Sequence, residues 1–245
     1  MAGISLHIGL NKVDKEAYFP LMVSDLAACE FDAIDMQKIA AKIGYETSIL
    51  LSAEATYETV KQRIVQAAQL LKSGDIFFLT YSGHGSQVFD RNKDETDGLD
   101  ETWVLYDRQI IDDELYELWS KFAAGVRIVV ISDSCHSGTV TRSGQVVEVD
   151  LTAVKNGLAE KSIPNCQAFG ILISGCQDKQ VAYDGVKNGL FTSKLLEVWD
   201  NGNFKGTYKQ FRDAIAKKLP KRQSPNYFIF GAKSLKFSRQ KPFTI

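Results

Sequence analysis

Val126-Arg127-Ile128-Val129-Val130-Ile131-Ser132-Asp133-Ser134-Cys135-His136-Ser137-Gly138 passes from a short, β-branched apolar run into a thiol set among polar and small residues. A second stretch repeats the arrangement: Ile76-Phe77-Phe78-Leu79-Thr80 leads into Tyr81-Ser82-Gly83-His84-Gly85. Runs of this length, apolar at nearly every position, suit strands buried on both faces. In an open parallel sheet, ligand-handling groups gather where strands leave their carboxyl ends, and both His84 and Cys135 are expected there. An imidazole and a thiol delivered in this way are the halves of a nucleophile–base pair, so cysteine-dependent hydrolysis is the leading chemical reading.

Around these two runs the chain alternates between strand and helix patterns. Strands are predicted over 4–10, 46–51, 103–106, 168–173 and 227–230. Helices are predicted over 25–43, stopped by Gly44, and over 56–71, 113–122, 188–199 and 207–219. Thr207-x-x-Gln210 has the spacing of a capping box. Residues 87–100 read as a hydrophilic connection. From 139 to 164 the pattern weakens into a connection with a hairpin at 145–151. The alternation predicts an α/β fold with a mostly parallel sheet and helices on both faces, built as one domain over residues 1–245.

The 245 residues are 44% hydrophobic and 24% charged, enough for a full core. A net charge of −1 and a pI near 6.3 give no sign of nucleic-acid or membrane partners. Met1-Ala2-Gly3-Ile4-Ser5-Leu6 enters a strand pattern directly, so no signal peptide or transmembrane span is expected. Four cysteines without CxxC spacing suit a reducing cytoplasm, with Cys166 and Cys176 read as core residues.

A cysteine hydrolase needs a base for its thiol and donors for the oxyanion. The amide of Cys135 is one candidate donor. Gly85, which carries no side chain to obstruct a substrate, offers a second. His7 falls inside a strand and reads as a packed, satisfied histidine. His136 adjoins the thiol in sequence and would point away from it, leaving His84 as the base. Two other readings stay open: Cys135 as a buried structural thiol, and His84, Asp133, Cys135 and His136 as metal ligands, although their spacing is awkward for one tetrahedral site.

The two motifs resemble the His and Cys motifs of metacaspases and of their prokaryotic relatives, the orthocaspases. The resemblance extends to Leu26-Ala27-Ala28-Cys29-Glu30-Phe31-Asp32, Asp97-Gly98-Leu99-Asp100-Glu101-Thr102, Ile111-Asp112-Asp113-Glu114-Leu115 and Ile173-Ser174-Gly175-Cys176-Gln177-Asp178. It implies a caspase-like three-layer α/β/α sandwich and a His84/Cys135 dyad that cleaves proteins and peptides after arginine or lysine. Asp133 suits that preference, since a guanidinium wants a partly buried carboxylate. By resemblance Asp32 is the second pocket carboxylate, with Ser82 and Cys29 lining the same cavity and Asp184 nearby; taken alone, Asp32 reads as a solvated helix residue.

The resemblance further implies calcium as an activator at Asp100, Asp112 and Asp113, none being required for the chemistry. The fourth acidic ligand of that pattern falls at Arg142, and Asp112 and Asp113 could equally cap a helix. An EF-hand over 90–101 is a poor match, because Glu95 stands where that loop requires glycine. Residues 139–165 carry Arg142, Lys155 and Lys161, which makes them a candidate self-processing loop. A monomer is implied. The competing class is a catalytically silent caspase-like module for binding or assembly, which usually lacks the Cys or the His; both are present here.

Overall fold

The structure, a computed structural model, describes residues 1–89, 99–135, 166–175, 187–220 and 223–245, apart from the side chains of Phe89, Leu99, Asp100 and Cys135. Strand β3 (Ile76–Phe89) is its axis. On one side β3 runs parallel to β1 (Gly3–Gly9), which pairs with β2 (Glu46–Leu51); on the other it runs parallel to β6 (Arg127–Cys135). Beyond β6 lie β7 (Phe169–Ser174), parallel, and β8 (Asn226–Gly231), antiparallel, so the order is β2-β1-β3-β6-β7-β8. The far half of β3 leaves this sheet to pair antiparallel with β4 (Leu99–Val104), which pairs with β5 (Gln109–Ile111).

Period-two alternation divides β3 between two cores. Phe77, Leu79 and Tyr81 pack beneath α3 (Tyr57–Leu70) and α4 (Asp112–Ser120). Ile76 and Phe78 face the opposite layer: α2 (Cys29–Ile43), α5 (Leu190–Trp199), α6 (Tyr208–Ala216) and α7 (Leu235–Ser238). Each of these five β3 side chains is at most 1% exposed, which explains the unbroken apolar run: both faces of the strand are interior. Burying each such side chain contributes about 1.5–3 kcal/mol. The expected three-layer α/β/α sandwich is present.

Several boundaries differ from expectation. The His motif does not end its strand. β3 continues to Phe89, so that the two ends of what reads as a hydrophilic connection, 87–89 and 99–100, belong to an antiparallel pair. Cross-strand pairing satisfies that backbone, and composition does not report such pairing. Helix α2 begins at Cys29 instead of residue 25, because its cap comes from elsewhere: Asn11 Oδ1 accepts the Glu30 amide at 3.2 Å, and the Leu26 amide donates to the Asn11 carbonyl. The four-residue helices α1 (Lys15–Tyr18) and α7 and the three-residue β5 are too short to show a period. The connection over 139–164 lies outside the described residues.

Candidate active site

The arrangement at the His motif starts with Tyr81, whose ring stacks on Trp103 at 4.5 Å. Its hydroxyl folds back along the strand and donates to the His84 carbonyl at 2.7 Å, with the Val104 carbonyl 3.1 Å away. This path crosses Gly83, where an added Cβ would come within 2.6 Å of the Tyr81 hydroxyl. The glycine therefore serves a close approach. His84 is buried, and its Nε2 lies 2.7 Å from the Ser24 carbonyl. A carbonyl only accepts, so Nε2 carries the proton and Nδ1 is the basic nitrogen of the neutral ring. Burial lowers the pKa of the ring below its ordinary value, and the Ser24 bond offsets part of that fall.

Register brings the two motifs together. His84 is aligned with Cys135, and Ser82 with Asp133, on adjacent parallel strands. Gly85 follows His84 in β3 and stands opposite Trp103.

Below His84 the same face of the sheet carries two buried carboxylates. Asp32, one turn into α2, accepts from Ser82 Oγ at 2.8 Å, Asn188 Nδ2 at 3.0 Å and the Gly189 amide at 3.0 Å. Asp133 Oδ2 accepts the Thr192 hydroxyl at 2.8 Å and the Thr192 amide at 3.0 Å. Both acids thus meet the amino-terminal turn of α5, whose free N–H groups and positive dipole end suit negative charge. Gly189, the α5 N-cap, bridges them: a Cβ there would lie 2.8 Å from Asp133 Oδ2 and 3.0 Å from Asp32 Oδ2.

Burial first, and the neighbouring Asp133 charge second, hold Asp32 up to about 7, against the pull of its hydrogen bonds. Burial also raises Asp133, opposed by Thr192. Two acids this close cannot both ionise cheaply without a cation, so the pair retains a proton near neutrality until one enters.

Of the remaining sequence-identified residues, Cys29 opens α2 one turn before Asp32 and is buried. Asp112 and Asp113 begin α4, where Asp112 Oδ1 accepts the Asp113 amide at 3.0 Å. Among the described residues no three His, Cys, Asp or Glu side chains converge on a metal position. Asp100 lies in β4 with its side chain outside the described residues; His136, Cys176, Asp184, Arg142, Lys155 and Lys161 lie outside them entirely. His7 is satisfied as expected, with Nδ1 2.9 Å from Thr80 Oγ1 and Nε2 2.9 Å from Ser5 Oγ. Cys166 is a core thiol that donates to the Trp119 carbonyl.

Sequence reasoning missed Ser24, Asn188, Gly189 and Thr192. The only local signal was Asn188-Gly189 opening an apolar helix, and nothing in it names the distant carboxylates that these groups meet.

Comparison with known proteins agrees with this architecture. Residues 8–236 match the family model described as caspase domain. Metacaspase-1 of Schizosaccharomyces pombe is 28% identical over 78% of this chain, and Metacaspase-7 of Arabidopsis thaliana is 32% identical over 56%. The chain spans 57% and 35% of the lengths of these two relatives. Among solved structures, protein GSU0716 from Geobacter sulfurreducens is 42% identical with a TM-score of 0.83, covering 100% of this chain and 99% of that one. Caspase-1 from Spodoptera frugiperda, at 12% identity, shares the fold with a TM-score of 0.61, covering 98% of this chain and 91% of that one. With a match running from β1 to α7 across a sheet of the same kind, the chain belongs to the caspase domain family.

Proposed function

We propose that the protein is a cysteine endopeptidase of metacaspase type that cuts peptide bonds after arginine or lysine. The observation that carries this reading is the pair of buried carboxylates beside the aligned His84 and Cys135: Asp133, two residues before Cys135 in β6, and Asp32 of α2, held by Ser82, two residues before His84 in β3. The Cys135 sulfur attacks the scissile carbonyl while His84 Nδ1 takes the thiol proton. The amides of Gly85 and Cys135 hold the oxyanion. The imidazolium then returns its proton to the leaving amine, and water, deprotonated by His84, hydrolyses the thioester. A guanidinium or ammonium entering between Asp32 and Asp133 displaces their retained proton to solvent and leaves both acids ionised.

An arginyl chloromethylketone tests the reading. It labels wild-type Cys135, fails on Cys135→Ala, and labels Asp133→Ala at a rate lower by about a hundredfold. Undiminished labelling and arginyl turnover in Asp133→Ala overturn the assignment. Two additions belong to the same reading and are tested apart from it. Calcium activation at Asp100, Asp112 and Asp113 is dropped where a calcium titration with a chelator control leaves turnover unchanged. Self-processing within 139–165 is dropped where mass spectrometry finds a fully active, intact chain.

A further inference from the structure

The near-zero net charge hides a strong separation along the chain. Residues 201–245 hold eleven lysines and arginines against a single acidic residue, Asp213, whereas residues 1–200 hold 18 basic and 29 acidic residues. The fold gathers part of this basic segment at one end. β6 runs from Arg127 to Cys135, about 26 Å at strand rise, so Arg127 marks the end of the sheet opposite the candidate active site. Residues after β8 gather at the Arg127 end. Its guanidinium donates to Gln240 Oε1 at 2.7 Å and to the Thr244 carbonyl at 3.1 Å, and it lies over the Phe237 ring. The start of α6 joins them there: Tyr208 packs edge-on against Phe237, and its hydroxyl accepts the Phe243 amide. Lys241 donates to the Gly202 carbonyl.

Lys205, Lys209, Lys233, Lys236, Arg239 and Lys241 are thereby brought to one end of the molecule, all exposed. None of the six pairs with a carboxylate among the described residues. The acids at that end include Asp75, engaged with the Ala2 and Lys72 amides, Asp200, which accepts from Asn203, and Glu46, exposed at the start of β2 on the far side of the sheet from β8. Leu235 stands among these cations and is 75% exposed, while the aromatic rings beneath it, Phe237, Tyr208 and Phe243, are turned inward and buried.

We infer that this end is a docking surface for an anionic lipid bilayer, which it meets with its lysines and Leu235 while the opposite end, with His84 and Cys135, faces solvent. Clustered lysines next to an exposed aliphatic side chain match the chemistry of peripheral attachment to an anionic leaflet, where headgroup charge attracts and the leucine enters the interface. Exposed rings on which bases could stack are missing from this end among the described residues, which favours lipid over single-stranded nucleic acid. Because the cluster lies at the Arg127 end of β6 and Cys135 at the other, attachment through it leaves His84 and Cys135 directed away from the membrane. The inference does not depend on the peptidase reading.

The test is co-sedimentation of the whole chain with phosphatidylcholine vesicles, with or without a third of phosphatidylserine. Binding is expected only to the anionic vesicles and is expected to weaken steeply with added salt. The triple variant Lys233→Glu, Lys236→Glu and Arg239→Glu should reduce partitioning by about a hundredfold, and Leu235→Ser by several-fold, with thermal midpoints unchanged. Lys236→Gln alone, expected to cost about fivefold, keeps the test usable if the triple variant folds poorly. Failure to bind anionic vesicles overturns the inference. So does equal binding by the charge variants, or binding to a DNA oligonucleotide in the absence of vesicle binding.

Discussion

Asp32 and His7 are both buried and titratable, and they drive stability in opposite directions with pH. Burial holds His7 down to about 3. The unfolded chain therefore binds a proton that the folded one refuses between about pH 6.5 and 3, and the stability that His7 contributes at neutrality is lost as pH falls through that window. Asp32 is held up to about 7, so its contribution is complete below the ordinary carboxylate range near 4 and is lost as pH rises through 7. Asp32→Asn removes the second slope. Scanning calorimetry should find the variant more stable than wild type at pH 8 and no more stable at pH 4, with a shift of about 2–4 °C per kcal/mol at this chain length. Its arginyl turnover should fall by about a hundredfold or more, because one carboxylate of the cation pair is gone. In the wild type, kcat/KM for arginyl peptides should drop as pH falls through about 7, where Asp32 takes up its proton. Alkylation of Cys135 by iodoacetamide, which needs no pocket carboxylate, should not share that inflection; a common inflection would assign it to the dyad.

At the level of single elements, two glycines carry sharp expectations. Gly189 caps α5 across both carboxylates, so the Cβ of Gly189→Ala pushes into the space between them. Arginyl turnover should fall by about a hundredfold, mainly through KM, while alkylation of Cys135 continues at the wild-type rate. Equal losses in both assays would mean that the helix turn had shifted the whole site. Gly83 lies under the Tyr81 hydroxyl, and Gly83→Ala should destabilise by about 1–3 kcal/mol in urea unfolding. Tyr81→Phe removes the obstructing oxygen, so the double variant should recover part of that loss, and additive losses would refute the contact. Elements were also where sequence reading was most uneven. The centres of β3 and β6 are legible as continuous apolar runs and α3 from its helical period, whereas the start of α2 and the extension of β3 toward β4 are not. In both cases the satisfying partner, Asn11 or β4, lies elsewhere in the chain.

For the whole molecule, β3 is central in every respect. It is flanked by β1 and β6, covered on both faces, and continuous with the ribbon that frames His84. Native-state hydrogen exchange should find the amides of Phe77, Phe78, Val129 and Val130 exchanging only through global unfolding. Those of β5 and of the edge strand β8 should open earlier and independently. Exchange of the β3 and β6 cores at β8 rates would show that the sheet is not one cooperative unit.

Much of this protein was local information. Continuous apolar runs with β-branched residues specify strands that must be covered twice, which commits the chain to a layered α/β architecture. The His84 and Cys135 motifs and Asp133 were visible because their meaning is carried by immediate neighbours. The partners of those residues were not. Ser24 reaches His84 across 60 positions, and Asn188 and Gly189 reach Asp32 across 156 and 157. The cluster of cations at one end likewise exists only once α6, β8 and α7 return to the end of the sheet where its parallel strands begin. Such pairings depend on where the chain comes back in space, and a hydrogen bond between distant segments leaves no period or spacing in either one.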